Sequence, residues 1–263
     1  MKLASLNQGR DGRLVVVSDD LAWCADASLV APTLQAALDA WDQCEPALRN
    51  LAVDLAHEAI PMMRFHERLA ASPLPRAYHW VRRKDAILCV SRSDGFSAPR
   101  DPLHFSGGSS AFSCEAGLVA VIGDVPGGAA AAEASAAIRL VGLYSAMVTN
   151  NGEMGDYATT FSPVFVTPDT LGTQWSNGAL QGGLSFEVNG AACEQSGAGA
   201  ANKCDFGPLI AAAASARALG AGTLVGVASA THALSSGDTV RLWMDDEKHH
   251  PLFGVIEQSV SLL

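Results

Sequence analysis

Thr223-Leu224-Val225-Gly226-Val227 and Thr239-Val240-Arg241-Leu242-Trp243-Met244 are two short β-branched runs, the second introduced by Gly237-Asp238. Runs of this length and composition, bounded by turn residues, read as strands. From Tyr78 onward the pattern recurs at Ile87–Val90, Leu118–Ile122, Val164–Val166, Leu184–Val188 and Leu252–Ile256, punctuated by Gly and Pro. Two helices are expected among them. One is Ala-rich and runs from Ala131 to about Tyr144, with Ile138, Leu140, Val141 and Leu143 inside; the other spans Phe206 to Leu219. Many short strands with few helices predict a β-rich closed or rolled sheet.

The segment before Tyr78 reads differently. Arg13 to Ser18 is a strand following the turn residues Asp11-Gly12. Pro32-Thr33 opens a helix in which Leu34, Ala37, Leu38 and Trp41 share one face. A second helix follows Glu45-Pro46, with Leu48, Leu51, Leu55 and Ile60 on one side. A small N-terminal α/β domain over residues 1–75, ending near Pro73-Leu74-Pro75, then precedes a larger domain over 76–263. The expected class is α+β.

Composition narrows the function. The chain has 263 residues, 49% hydrophobic and 17% charged, which suits a folded core. Its net charge of −10 argues against nucleic acid, whose phosphates need clustered Lys and Arg. The one dense basic run, Arg82-Arg83-Lys84, reads as a solvated turn. No basic-then-apolar leader opens the sequence, and the most apolar stretch, Ala211 to Gly226, is broken by Arg217 and glycines, so neither export nor a membrane is expected. The six cysteines form no CxxC pair and no zinc spacing, so free thiols in a cytoplasmic protein are expected. No Walker loop, GxGxxG or Ser-His-Asp order is present.

Several stretches resemble the bacterial fumarylacetoacetate hydrolase family, in that family's order along nearly the whole chain. They include Gly9-Arg10-Asp11-Gly12-Arg13-Leu14, Ala31-Pro32-Thr33-Leu34-Gln35-Ala36-Ala37-Leu38, Pro73-Leu74-Pro75-Arg76-Ala77-Tyr78 and Asp101-Pro102-Leu103. Further on come Gly123-Asp124-Val125-Pro126, Phe161-Ser162-Pro163-Val164, Asp205-Phe206-Gly207, Gly237-Asp238-Thr239-Val240-Arg241 and Phe253-Gly254-Val255-Ile256. The resemblance implies a small N-terminal domain, a rolled mixed β-sheet and a homodimer formed through the C-terminal domain. It also implies a divalent ion held by two glutamates one residue apart on a strand and by an aspartate about thirty residues later.

Against that pattern the chain departs sharply. In Cys114-Glu115-Ala116-Gly117-Leu118, Glu115 keeps the first ligand position and Gly117 stands at the second. The family's Asn-Asp motif, placed at the end of the next helix, aligns with Ser145-Ala146, so the aspartate is Ala146. Its His segment before Asp-Pro-Leu and its Lys segment are shortened here and contain neither residue. One carboxylate does not hold a hard cation, so no metal and no other cofactor is expected.

The remaining candidates are polar. Glu115 and His104 are the expected catalytic groups: a lone buried carboxyl would have a raised pKa suited to acid/base work, and His104 lies by a glycine-rich turn. Ser109, Tyr144, Ser145, Asn150, Thr231 and His232 are the expected substrate-binding groups, with Asn151, Glu153, Asp156 and Tyr157 in a rebuilt polar segment. Cys114 is expected to have a raised thiol pKa because Glu115 is its neighbour. Three functions stay open. The first is a metal-independent lyase, decarboxylase, tautomerase or cyclase acting on an oxo-acid or β-dicarbonyl ligand. The others are a non-catalytic binding or scaffold protein and a residual metal-dependent C–C hydrolase.

Overall fold

A computed structural model describes residues 1–84, 87–105, 112–149, 156–193, 204–246 and 249–262. Its first strands are β1 (Lys2–Leu6), β2 (Arg13–Val17), β3 (Trp23–Asp26) and β4 (Met63–Arg64), with helices α1 (Leu34–Asp39) and α2 (Trp41–Ala56) between β3 and β4. Next are β5 (Trp80–Lys84), β6 (Ile87–Ser91), β7 (Leu103–Phe105), β8 (Phe112–Ile122), helix α3 (Ala131–Ala136), β9 (Ile138–Thr149), β10 (Asp156–Phe161) and β11 (Phe165–Val166). Then follow β12 (Trp175–Ser176), β13 (Ala179–Leu180), β14 (Leu184–Val188), β15 (Ala191–Ala192), β16 (Cys204–Asp205), helix α4 (Phe206–Ala213), β17 (Leu224–Leu234), β18 (Thr239–Met244) and β19 (Ile256–Leu262). The class is α+β.

Among the described residues, one large mixed sheet runs β4-β3-β2-β1-β11-β9-β8-β17-β5-β6, with β10 also paired to β9. The N-terminal strands belong to it, because Lys2 and Leu3 of β1 pair with Val166 and Phe165 of β11. Its centre is the antiparallel ladder β9-β8-β17, and all eleven residues of β8 are buried. Burial on both faces explains why that strand lacks a polar alternation. On one face pack Leu34, Leu38, Leu48 and Leu55 of α1 and α2 with Val119, Leu140, Tyr144 and Phe161. The other face closes against β14, β18, β19 and α4 through Leu118, Leu143, Phe186, Leu242 and Ile210. That second sheet, β15-β14-β18-β19-β7, completes the roll.

Four expectations about elements are corrected. The helix expected from Ala131 to Tyr144 stops at Ala136, and Ile138 opens the twelve-residue strand β9. Val141, Leu143 and Met147 face one core while Leu140, Tyr144, Ala146 and Val148 face the other. A strand buried on both sides is apolar at successive positions, which periodicity cannot tell from a buried helix. The helix expected to reach Leu219 ends at Ala213, and Leu219 instead bridges to Val125. The strand placed at Leu252–Ile256 begins only at Ile256, because Gly254 takes a left-handed φ of 71°. Finally, α2 begins at Trp41, ahead of Pro46, and Thr33 caps α1 by accepting from the Ala36 amide at 3.2 Å.

No helix among the described residues is long and apolar enough to cross a membrane. All six cysteines are buried thiols. Phe161 is fully buried and meets Trp80, Phe96 and Phe165 at centroid distances of 5.3, 4.8 and 5.9 Å, all edge-on. Phe161→Ala is therefore expected to cost about 3–5 kcal/mol in denaturant unfolding; a loss under about 1 kcal/mol would show that this aromatic cluster does not tie β10 to β5.

Candidate functional site

The run Arg82-Arg83-Lys84 is not a solvated turn. It lies on β5, parallel to β17, and alternation sends Arg83 to the surface and Arg82 inward with only 5% of its surface exposed. Arg82 reaches across β17 to Glu115 on β8. Its Nη1 lies 2.5 Å from Glu115 Oε1, and its Nε donates to Ser91 Oγ at 3.0 Å. Glu115 is completely buried. The Tyr144 hydroxyl on β9 donates to the same Oε1 at 3.2 Å. Taking a carboxylate and a guanidinium out of water is costly unless they meet in good geometry with further hydrogen bonds, and this cluster supplies both.

Small residues make the reach possible. Gly226 pairs with Arg82, Gly117 with Tyr144, and Ala146 stands directly across from Glu115. Together they form a trough in the sheet, and large side chains lie in it. A Cβ on Gly117 would fall 2.1 Å from the Val227 carbonyl and 2.6 Å from Tyr144 Cε1. A Cβ on Gly226 would fall 2.3 Å from Trp80 Cη2 and 3.1 Å from Tyr144 Cε1. Trp80 and Tyr144 meet edge-on at 5.1 Å.

The metal implied by the sequence resemblance can be tested against this arrangement. A hard cation needs several converging oxygens. Glu115 is matched by a guanidinium, the Gly117 position is filled by the Tyr144 ring, and the residue opposite is Ala146. These residues do not fit a divalent ion.

The expected site residues are only partly brought together. Glu115 and Tyr144 touch. Thr231 pairs with Glu115 across the β17–β8 ladder and is exposed, so the row beginning there reaches solvent at its β17 end. Ser145 faces the opposite core, where its hydroxyl lies 3.2 Å from Cys114 Sγ. His232 is exposed, pairs with Cys114, and meets Phe186 edge-on at 6.4 Å. His104 is exposed on β7, in the other sheet, with Nδ1 2.6 Å from Ser261 Oγ. Ser109, Asn150, Asn151, Glu153 and the side chains of Asp156 and Tyr157 lie outside the described residues.

Burial, first of all, pushes the Cys114 thiol up to about 12; Glu115, on the opposite side of the strand, is a lesser cause than expected. Arg82 was missed as a site residue. The signal was present in the two-residue period of Trp80-Val81-Arg82, which puts the arginine on the face of a core tryptophan.

Arg82→Met leaves the carboxylate buried without its cation. It is expected to lose about 3–5 kcal/mol in denaturant unfolding, and Arg82→Met/Glu115→Gln is expected to be more stable than Arg82→Met alone. Equal stability of wild type and Arg82→Met would remove the ion pair from this account.

Two family models match the chain: fumarylacetoacetase N-terminal domain 2 over residues 1–76 and fumarylacetoacetate (FAA) hydrolase C-terminal over residues 75–261. No curated protein sequence matches. Among solved structures, maleylpyruvate hydrolase from Sphingobium sp. SYK-6 superposes with a TM-score of 0.78 at 16% identity, covering 100% of both chains. A probable 2-hydroxyhepta-2,4-diene-1,7-dioate isomerase from Mycobacterium abscessus gives 0.73 at 16%, covering 100% of this chain and 99% of its own. The 5-carboxymethyl-2-hydroxymuconate delta-isomerase from Mycobacterium smegmatis gives 0.66 at 14%, covering 100% of both. At these identities the likeness establishes the fold, and the matched models establish the family: the chain belongs to the fumarylacetoacetate hydrolase family.

Proposed function

We propose that this chain is a metal-independent member of the family, acting on a small oxo-acid or β-dicarbonyl molecule. The observation that carries the reading is the Arg82 guanidinium seated on Glu115, with the Tyr144 ring in the place of a second carboxylate. The similar solved structures bear the names of a hydrolase and of isomerases of oxo- and hydroxy-acids, which supports the ligand class.

Chemistry of this class develops negative charge on a carbonyl oxygen as an enolate forms. A fixed guanidinium and a phenolic hydroxyl in a dry site stabilise such charge without reorganising. In this reading Arg82 supplies the positive charge and Tyr144 a hydroxyl donor, while Glu115 orients both. The exposed Thr231 at the end of the row marks the way in. His104, in the other sheet, has no part in this chemistry.

A second reading is a non-catalytic binding partner. It is favoured by the complete burial of Glu115 and Tyr144 and by the packing of Trp80 over Gly226. Turnover assays with pyruvate, oxaloacetate and acetylpyruvate, with and without EDTA, separate the readings. The proposal expects turnover of at least one compound, unchanged by EDTA and lowered at least ~100-fold in Arg82→Lys, which keeps the charge but loses the planar fork. Turnover that requires Mg²⁺ or Mn²⁺ would overturn it, and no turnover of any of the three would favour the second reading.

Reduced cysteines suit a reducing compartment, and we place the protein in the cytoplasm. We also propose a homodimer formed through the C-terminal residues; sedimentation at micromolar concentration is expected to give twice the 27.2 kDa chain mass, and a species of the chain mass alone would contradict this.

A further inference from the structure

Thr159 lies on β10, paired with Ala146 on β9, which in turn pairs with Glu115 on β8 and through it with Thr231 on β17. Directly paired residues point to the same side of a sheet. The four therefore form one row, from exposed Thr231 through Glu115 and Ala146 to Thr159. Thr159 is only 4% exposed, and its Oγ1 has no hydrogen-bond partner among the described residues. Trp80 Nε1, on the same face, is also buried without a hydrogen-bond partner among the described residues, and it can only donate. A buried polar group left unpaired is costly, and an isosteric apolar residue would avoid the cost. Ala146, the smallest side chain in the row, separates Thr159 from Glu115.

We infer that Thr159 is a ligand-binding residue whose hydroxyl donates to a carbonyl oxygen of a small oxo compound lodged over Ala146. This rests on the small-molecule reading above and adds to it a subsite and a hydrogen bond. A carbonyl oxygen is an acceptor that the Thr159 hydroxyl can serve as donor. The ligand's size is limited to a few heavy atoms by Tyr144 and Val148, which flank Ala146 on the same side of β9. Thr160 supplies an internal comparison. Its Oγ1 is also buried and unpaired, but it pairs with Ser145 and points to the opposite face, away from Glu115.

The experiment uses the full chain and two probes, acetylacetone as a neutral β-dicarbonyl and pyruvate as an oxo-acid. Binding is followed by calorimetry, and melting is recorded without probe. Thr159→Val is expected to melt at or above the wild-type temperature and to bind at least tenfold more weakly. Thr159→Ser should restore affinity, and Thr160→Val should leave it unchanged. If the wild type binds a probe and Thr159→Val binds it equally well, the subsite is overturned while the small-molecule reading stands. If Thr159→Val melts well below the wild type, its hydroxyl is structural and the inference fails. If the wild type binds neither probe, both the subsite and the ligand class fail.

Discussion

Glu115 is a carboxylate with no access to water, and the rest of the site follows from that constraint. An ionised group in such a place needs a counter-charge and hydrogen bonds. Arg82 provides the first, and Tyr144 and Arg82 together provide the second. The guanidinium must cross a whole strand to arrive, so the intervening strand must be thin. Gly226 on β17 gives that thinness, and the same glycine lets the edge of the Trp80 ring approach the strand closely. The ion pair, the aromatic cover and the glycines thus form one packing unit, in which none of the three is independently variable.

This unit also explains why the residues around Glu115 do not fit a divalent ion. Losing a ligand need not close a metal site, since water can fill the gap. Here the gap is closed by the ring of Tyr144, and the cation's charge is replaced by one fixed in the sheet. A glutamate at position 117 would meet the Val227 carbonyl before it met any ion. The family's fold is kept, with apolar cores on either side of β8, and Trp80 and Tyr144 of this unit are part of one of them.

Much of the fold was legible in the sequence. The β-branched runs at Arg13–Ser18 and Thr239–Met244 became strands with those bounds or within one residue of them, and Thr33 announced its helix. The stretch from Ile138 to Tyr144 was not legible, since burial on both faces removes the alternation by which a strand is recognised. The site divided in the same way. Glu115 and the absent carboxylates could be read from motif positions, as could the placing of Tyr144 near them. Arg82 was hidden by its neighbours: three basic residues in a row suggest a solvated surface, and only the pairing of β5 with β17 shows that one of them turns inward. Thr159 carried no sequence signal, because an unpaired hydroxyl is a property of packing.

The central claim is that Arg82 has taken the place of a divalent ion at Glu115. Titration of Mn²⁺ into the purified protein, followed by electron paramagnetic resonance, tests it most directly. The account predicts that the six-line signal of free Mn²⁺ grows in proportion to the metal added, as it does in buffer, up to the protein concentration and beyond. Loss of about one equivalent of that signal per chain, restored by Glu115→Gln, would contradict it.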